Sequence, residues 1–333
     1  MTTETKNIWV FGDYRNYFQN RGTIQLLARA KELAPKIDSQ VCAVVFGYGI
    51  DEYIGEYIAH GADIVYAIDH TSLKTYCVET YVNLMVNLCE KYRPEIVLAG
   101  ATDFGREFTP RVAKRLKTGL SADCIDLYIN EEKLLVQTAP SFGGNLLAEI
   151  ITPECRPQMA TVRPGTFQEI PHNYERTGKI VHEPLPENLP ADRVTLLSST
   201  QSTKRNQKLE DAQVVVCGGR GMGSKNKFKK ITELAELMNG EVGATRPVVY
   251  SKWIGNEALI GQAGKHIKPK VLLSLGISGA IQHTAAINDS DFIIAVNKNP
   301  EAPMMKMADV AIVSDANQIC TTMIKELKKR IRS

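Results

Sequence analysis

The stretch Gly276-Ile277-Ser278-Gly279-Ala280-Ile281-Gln282-His283 decides how this chain is read. It directly follows an apolar, strand-like run, Val271 to Leu275, and leads into a helix-like stretch. A strand that ends in a glycine- and serine-containing turn brings backbone N–H groups and a hydroxyl to the mouth of a parallel sheet. Anionic groups bind there, because those donors favour them. The turn has company on both sides. Gly261-Gln262-Ala263-Gly264-Lys265 lies upstream, and Asn297-Lys298-Asn299-Pro300-Glu301-Ala302-Pro303 lies downstream.

Working outward, the chain shows two stretches of β-α alternation. In the first, Ile8–Phe11, Val41–Phe46, Ile64–Ile68 and Glu95–Gly100 read as strands, and 23–33, 53–60, 73–91 and 104–116 as helices. That order argues a doubly wound, mostly parallel sheet. After Gly119 four short strand-like runs follow without helices between them: Leu127–Ile129, Leu134–Thr138, Leu146–Ile151 and Met159–Val162. They read as antiparallel additions at the edge of that sheet. Between Pro153 and Pro190 fall seven of the fifteen prolines, which forbids regular helix there.

Polar residues then dominate 198–208, the expected linker. A second alternation begins at Ala212, with strands at Val214–Val216, Val271–Leu275, Phe292–Val296 and Val310–Val313 and a brief one expected at Val248-Val249. The expected division is residues 1–200 as one α/β domain and 201–325 as a second, Rossmann-like one, with 326–333 a basic helix end.

Composition excludes several classes. A net charge of +3 over 333 residues gives no argument for nucleic acid. Seven scattered cysteines without a Cys-x-x-Cys argue against a disulfide framework, a zinc site or a cysteine-held iron–sulfur cluster. No apolar run approaches the length of a membrane span, and the first residues lack the apolar core of a signal peptide. The expectation is a cytoplasmic protein with no membrane span and no metal.

The other motifs all fall at ends of strands. Gly218-Gly219-Arg220-Gly221-Met222-Gly223-Ser224 sits between a strand and a helix, but its third glycine comes one residue too early for Gly-x-Gly-x-x-Gly. Arg220 there can pair with a diphosphate, or the glycines can simply make a tight turn beside a solvated arginine. Thr245-Arg246 offers a hydroxyl and a guanidinium to a phosphate or a ring edge, against the alternative of a surface ion pair. Asn297 and Asp315 end further strands, where ligands of open α/β sheets bind.

Taken together these segments resemble the electron transfer flavoprotein alpha subunit family. Gly119-Leu120-Ser121-Ala122-Asp123, Ser141-Phe142-Gly143-Gly144-Asn145 and Ala160-Thr161-Val162-Arg163-Pro164-Gly165 resemble its N-terminal domain, so the likeness covers nearly the whole chain. The resemblance implies FAD held by the second domain, pairing with a smaller beta subunit, and electron shuttling with an acyl-CoA dehydrogenase or reductase-type flavoenzyme, without a catalytic residue of its own.

The resemblance also implies a set of cofactor-binding residues. The diphosphate falls near Arg220, Ser278 and Gly279, with Asn297 and Asp315 toward the adenosine. Thr245, Arg246, Gly261, Gln262, Ala263, Ala280, Ile281, Gln282 and His283 complete the set, with Arg246 over the isoalloxazine ring and His283 at its pyrimidine side. Many relatives carry a hydroxyl residue where this chain has Ala263, so a hydrogen bond to flavin N5 is missing here. The stretch Val248 to Trp253 resembles versions found with flavin-bifurcating or acyl-CoA-reducing partners. The competing expectation is an NAD-dependent dehydrogenase using Gly218–Gly223, with Glu241 on the ribose; its weakness is the lack of a histidine motif offering a general acid and base.

Overall fold

Strand and helix alternate through β1 (Ile8–Phe11), α1 (Tyr17–Leu33), β2 (Val41–Gly47), α2 (Asp51–Ala59), β3 (Ile64–Asp69), α3 (Val78–Tyr92), β4 (Ile96–Gly100) and α4 (Asp103–Leu116). The strands are apolar throughout because both of their faces are buried. In β1, Ile8 and Val10 join one core and Trp9 and Phe11 the other. This computed structural model describes residues 7–15, 17–141, 146–190, 192–198, 209–288 and 290–332. The chain divides into two units, Met1–Ser199 and Thr200–Ser333. The expected linker lies almost wholly outside the described residues, as do Phe142 to Asn145.

The first unit continues with β5 (Leu120–Cys124), β6 (Asp126–Ile129), β7 (Leu135–Ser141), β8 (Leu146–Ile150), β9 (Gln158–Val162) and β10 (Lys179–His182). Its main sheet has the order β10-β3-β2-β1-β4-β9-β5, and every pairing in it is parallel. The antiparallel edge additions expected after Gly119 therefore need correcting. β6, β7 and β8 are antiparallel, but they pair with one another in a separate three-stranded sheet. β9 is buried at all five residues and inserts between β4 and β5, the place of an internal strand. The helix expected over 73–91 starts at Val78, because Thr71–Lys74 forms its own short turn capped by His70.

The second unit runs β11 (Val214–Gly218), α5 (Lys225–Leu237), β12 (Glu241–Ala244), α6 (Arg246–Tyr250), β13 (Val271–Leu275), α7 (Ile281–Thr284), β14 (Ile293–Asn297), α8 (Pro303–Lys306), β15 (Val310–Val313) and α9 (Ala316–Arg332). Its sheet order is β12-β11-β13-β14-β15, all parallel. Strand order therefore reverses between β11 and β13, and that crevice is where an open sheet of this kind takes a ligand. Val248 and Val249 are helical rather than a strand: Thr245 is the N-cap and Pro247 stands in the first turn of α6, a position that suits proline. The strand itself lies earlier, in β12.

Candidate functional site

Each predicted site residue of the second unit lies at or beyond the carboxyl edge of its sheet, carried by one of the loops there. Arg220 follows β11, Thr245 and Arg246 follow β12, Ser278 to His283 follow β13, Asn297 ends β14 and Asp315 follows β15. The β11 and β13 loops meet as glycine on glycine. Gly219 N–H donates to Leu275 O (2.9 Å) and Gly221 N–H to Gly276 O (3.0 Å). A Cβ on Gly219 would stand 2.2 Å from Gly276 O, and one on Gly221 2.7 Å from Gly276 Cα. Interlocking thus explains these glycines, and it holds Arg220 and Ser278 on adjacent loops. Both side chains are exposed.

The β13 loop carries the strongest sign of a ligand. Four consecutive N–H groups, those of Ile277, Ser278, Gly279 and Ala280, donate to no acceptor among the described residues. Buried backbone donors are normally paired, and a run of free ones at a strand end is an anion-binding concavity. No carboxylate among the described residues pairs with Arg220 or Arg246, so two cations stand free at the same edge. Arg246 lies over its own helix neighbour Tyr250, with Cζ 5.9 Å from the ring centre.

A second cluster ties the 260s to α7. Ile260 N–H donates to Ala244 O (3.0 Å) and Gln262 N–H to Gln282 O (2.8 Å), which brings Gly261, Gln262 and Ala263 beside Thr245 and His283. Gln262, Ala263, Ala280, Ile281 and Gln282 are exposed, whereas Thr245, Gly261 and Gly279 are buried. His283 is buried, and its Nδ1 lies 3.1 Å from Ile260 O. A carbonyl only accepts, so Nδ1 carries the proton and Nε2 holds the lone pair. That Nε2 is buried without a partner among the described residues. Burial pushes the imidazole below its ordinary value, against the opposing pull of the Ile260 hydrogen bond, so the ring is neutral near pH 7.

Asn297 and Asp315 are held by the protein itself. Asn297 Nδ2–H donates to Ile277 O (2.7 Å), and its Oδ1 accepts from Asn299 N–H (3.0 Å). Asp315 caps α9, accepting from Asn317 N–H (2.8 Å) and Gln318 N–H (3.1 Å), and pairs with Lys298 at 2.8 Å. The Lys298 ammonium, helped by these N–H groups, holds its carboxyl at about 2. A depressed carboxylate stabilises the fold fully above the unfolded value near ~4 and loses that contribution as pH falls through the folded one. Between pH 4 and about 2 the melting temperatures of the parent and Asp315→Asn should therefore converge. A constant gap across that window, in pH-dependent melting curves, would remove the cap from the carboxylate.

Asn317, Lys298 and the glycine interlock escaped the sequence reading. Only Asp315 just before a helical run carried a legible signal, that of an N-cap. Two competing sites look poorer. Glu241 pairs with Val215 at the amino end of the sheet, opposite the ligand edge, so it cannot meet a ribose there. In the first unit, the crevice between β1 and β4 is filled by its own side chains. Buried Asp13 takes two hydrogen bonds from Arg15 (2.8 and 2.7 Å) and one from Thr102 (3.2 Å), and Arg15 stacks 3.7 Å over Phe104. A buried carboxylate at that point repels phosphate. Among the described residues no helix is long and apolar enough to cross a membrane, and no His, Cys, Asp or Glu cluster could hold a metal.

Comparison with known proteins agrees with the geometry. The electron transfer flavoprotein domain matches residues 8–188, and the electron transfer flavoprotein FAD-binding domain matches residues 208–288. The chain is 43% identical to the electron transfer flavoprotein subunit alpha of Thermoanaerobacterium thermosaccharolyticum, over 97% of this chain and 98% of that one. It is 40% identical to the subunit alpha of Clostridium acetobutylicum, over 97% of each. It is also 36% identical, over 89% of this chain and 71% of the relative, to the lactate dehydrogenase (NAD(+),ferredoxin) subunit LctC of Acetobacterium woodii. The donor set suits a dinucleotide: N–H groups and arginines without partners among the described residues could meet its phosphates, with the open Nε2 of His283 beyond them. The chain belongs to the electron transfer flavoprotein alpha subunit family, and FAD is its cofactor.

Proposed function

We propose that the protein is an electron carrier that holds FAD along the carboxyl edge of its second sheet and exchanges electrons with an acyl-CoA dehydrogenase or reductase-type flavoenzyme. The observation that carries the placement is the run of four N–H groups from Ile277 to Ala280 that are unpaired among the described residues. Those groups, the Ser278 hydroxyl and Arg220 would hold the diphosphate. Asn297 and Asp315 lie on the adenosine flank. Thr245, Arg246, Gly261 to Ala263 and Gln282-His283 form the flank that would hold the flavin.

FAD supplies the redox chemistry when bound. The residues would do the rest: Arg246 would place a positive charge where negative charge develops, and His283 would offer Nε2 to the ring. Because Nδ1–H is committed to Ile260 O, Nε2 donates only after taking up a proton. Proton uptake there and reduction must then favour one another, since coupling between two binding events is reciprocal. His283→Ala should lower the flavin midpoint potential at pH 7 and flatten its dependence on pH, read by spectroelectrochemistry. An unchanged midpoint and slope would remove His283 from the site. Ala263 is exposed, so the missing hydroxyl is a property of the site's surface rather than of the core.

Pairing with a beta subunit, through the first unit, is part of the same reading. β8 supports it: this edge strand exposes Leu146 (59%), Leu147 (60%) and Ile150 (39%), with Ile151 (43%) just beyond, an apolar surface that a monomer leaves wet. A cytoplasmic setting accords with seven free cysteines. Electron bifurcation is a second reading, favoured by the likeness to a subunit of an NAD(+),ferredoxin enzyme. Coexpression with a beta subunit of the family, followed by an absorption spectrum and protein assay, tests the main reading. About one FAD per alpha chain in the second unit is expected. A colourless complex that binds NAD would refute it.

A further inference from the structure

Hydrogen bonds close a ring around four of the five loops at this edge. Asn297 Nδ2–H donates to Ile277 O (2.7 Å). The next residue, Lys298, pairs with Asp315 (2.8 Å), whose Oδ1 accepts from Asn317 N–H (2.8 Å). Asn317 Nδ2–H then donates to Met222 O (3.0 Å). Gly221 N–H returns to Gly276 O (3.0 Å), one residue from the starting point.

The links differ in strength. Lys298–Asp315 is a surface ion pair with the lysine 73% exposed, a type that contributes little. The Asn317 bond is the one side-chain hydrogen bond onto the Gly219–Gly223 turn among the described residues. Asn317 is half-buried, and its Oδ1 is sequestered without a partner among the described residues, so the side chain is kept in place at a cost. A polar group retained in that way needs a purpose. The turn that it grips carries Arg220, whose long side chain is exposed.

We infer that Asn317 is a positioning residue for FAD: it touches the Arg220 turn rather than the cofactor, and fixes that turn before FAD arrives. The inference rests on the placement of the diphosphate beside Arg220. Holding a binding group in place beforehand removes an ordering cost from binding. Its effect must therefore pass through Arg220.

The test is a double-mutant cycle on the full chain with its partner subunit, stripped of FAD and titrated with FAD while flavin fluorescence is followed. Arg220→Ala alone checks the placement, and an unchanged dissociation constant there overturns the placement and with it this inference. With the placement upheld, Asn317→Ala should raise the dissociation constant about three- to tenfold, the range expected for one lost hydrogen bond. In the Arg220→Ala background the same change should have almost no effect. Asn317→Leu, similar in size and suited to a helix, should repeat the result with the melting temperature of the FAD-free protein unchanged. Equal losses in both backgrounds, or no loss in either, overturn the role of Asn317.

Discussion

Arg220→Ala should weaken FAD binding by about one to two decades, because a charge-assisted hydrogen bond contributes roughly 1.5–3 kcal/mol. Arg220 stands at the end of β11, beside the point where strand order reverses, with its side chain exposed and no carboxylate partner among the described residues. Removing it opens no cavity and leaves no buried group unpaired, so the fold should be untouched. Flavin content after extensive dialysis reads the effect directly. Arg220→Lys should recover only part of it, since an ammonium lacks the guanidinium's paired donors. Full flavin retention in Arg220→Ala would place the diphosphate elsewhere.

The largest effect on stability is expected from Gly279→Ala. Gly279 has φ +85°, a conformation that costs a side-chain-bearing residue about 1–2 kcal/mol. Its Cβ would also stand 2.3 Å from Met304 N, the donor of a hydrogen bond to Ser278 O (3.2 Å). Relieving that overlap shifts backbone on both loops, which adds roughly 1–3 kcal/mol. Together these amount to a fall of roughly 10 °C in the melting temperature of the second unit, along with lost FAD affinity as the Ser278–Ala280 donors move. Gly223→Ala separates the two causes. Gly223 has φ +88°, but its Cβ would meet only the Lys227 side chain, at 3.9 Å. It should therefore show the conformational cost alone. Equal destabilisation by the two variants would mean that the contact with Met304 is unimportant.

Much of this architecture is legible in the sequence, for reasons that can be named. Parallel strands buried on both faces read as unbroken apolar runs, so β1, β2, β13 and β14 stand out. β12 does not, since Glu241-Val242-Gly243-Ala244 has one β-branched residue among four. The pair Val248-Val249 attracted the strand expectation instead, although Thr245 and Pro247 set up a helix start. β9 reads as an antiparallel edge strand because no helix precedes it in the sequence. Its five buried residues show that the chain passes through a separate hairpin sheet before returning to the main one.

At the site, the strand-end positions and residue types were readable, because ligands of open sheets bind at those ends. What they touch was not. The contacts of Gly219 and Gly221 with Gly276 join loops far apart in sequence, and Asn317 reaches Met222 from the first turn of α9. Neither relation leaves a local pattern. The tautomer of His283 likewise depends on Ile260 O, a backbone atom that residue types cannot reveal.

On the function proposed above, FAD lies across the carboxyl edge of the second sheet, with its diphosphate on the open donors of the β13 loop. Amide hydrogen exchange of the complex with and without FAD tests this most directly. The four N–H groups of Ile277 to Ala280 have no acceptor among the described residues and should exchange fast when FAD is removed. Bound FAD should protect them, together with the Gly219–Gly223 turn. Unchanged exchange across Ile277–Ala280, with protection appearing instead at Gly12–Arg15 and Ala101–Phe104 of the first unit, would contradict the account.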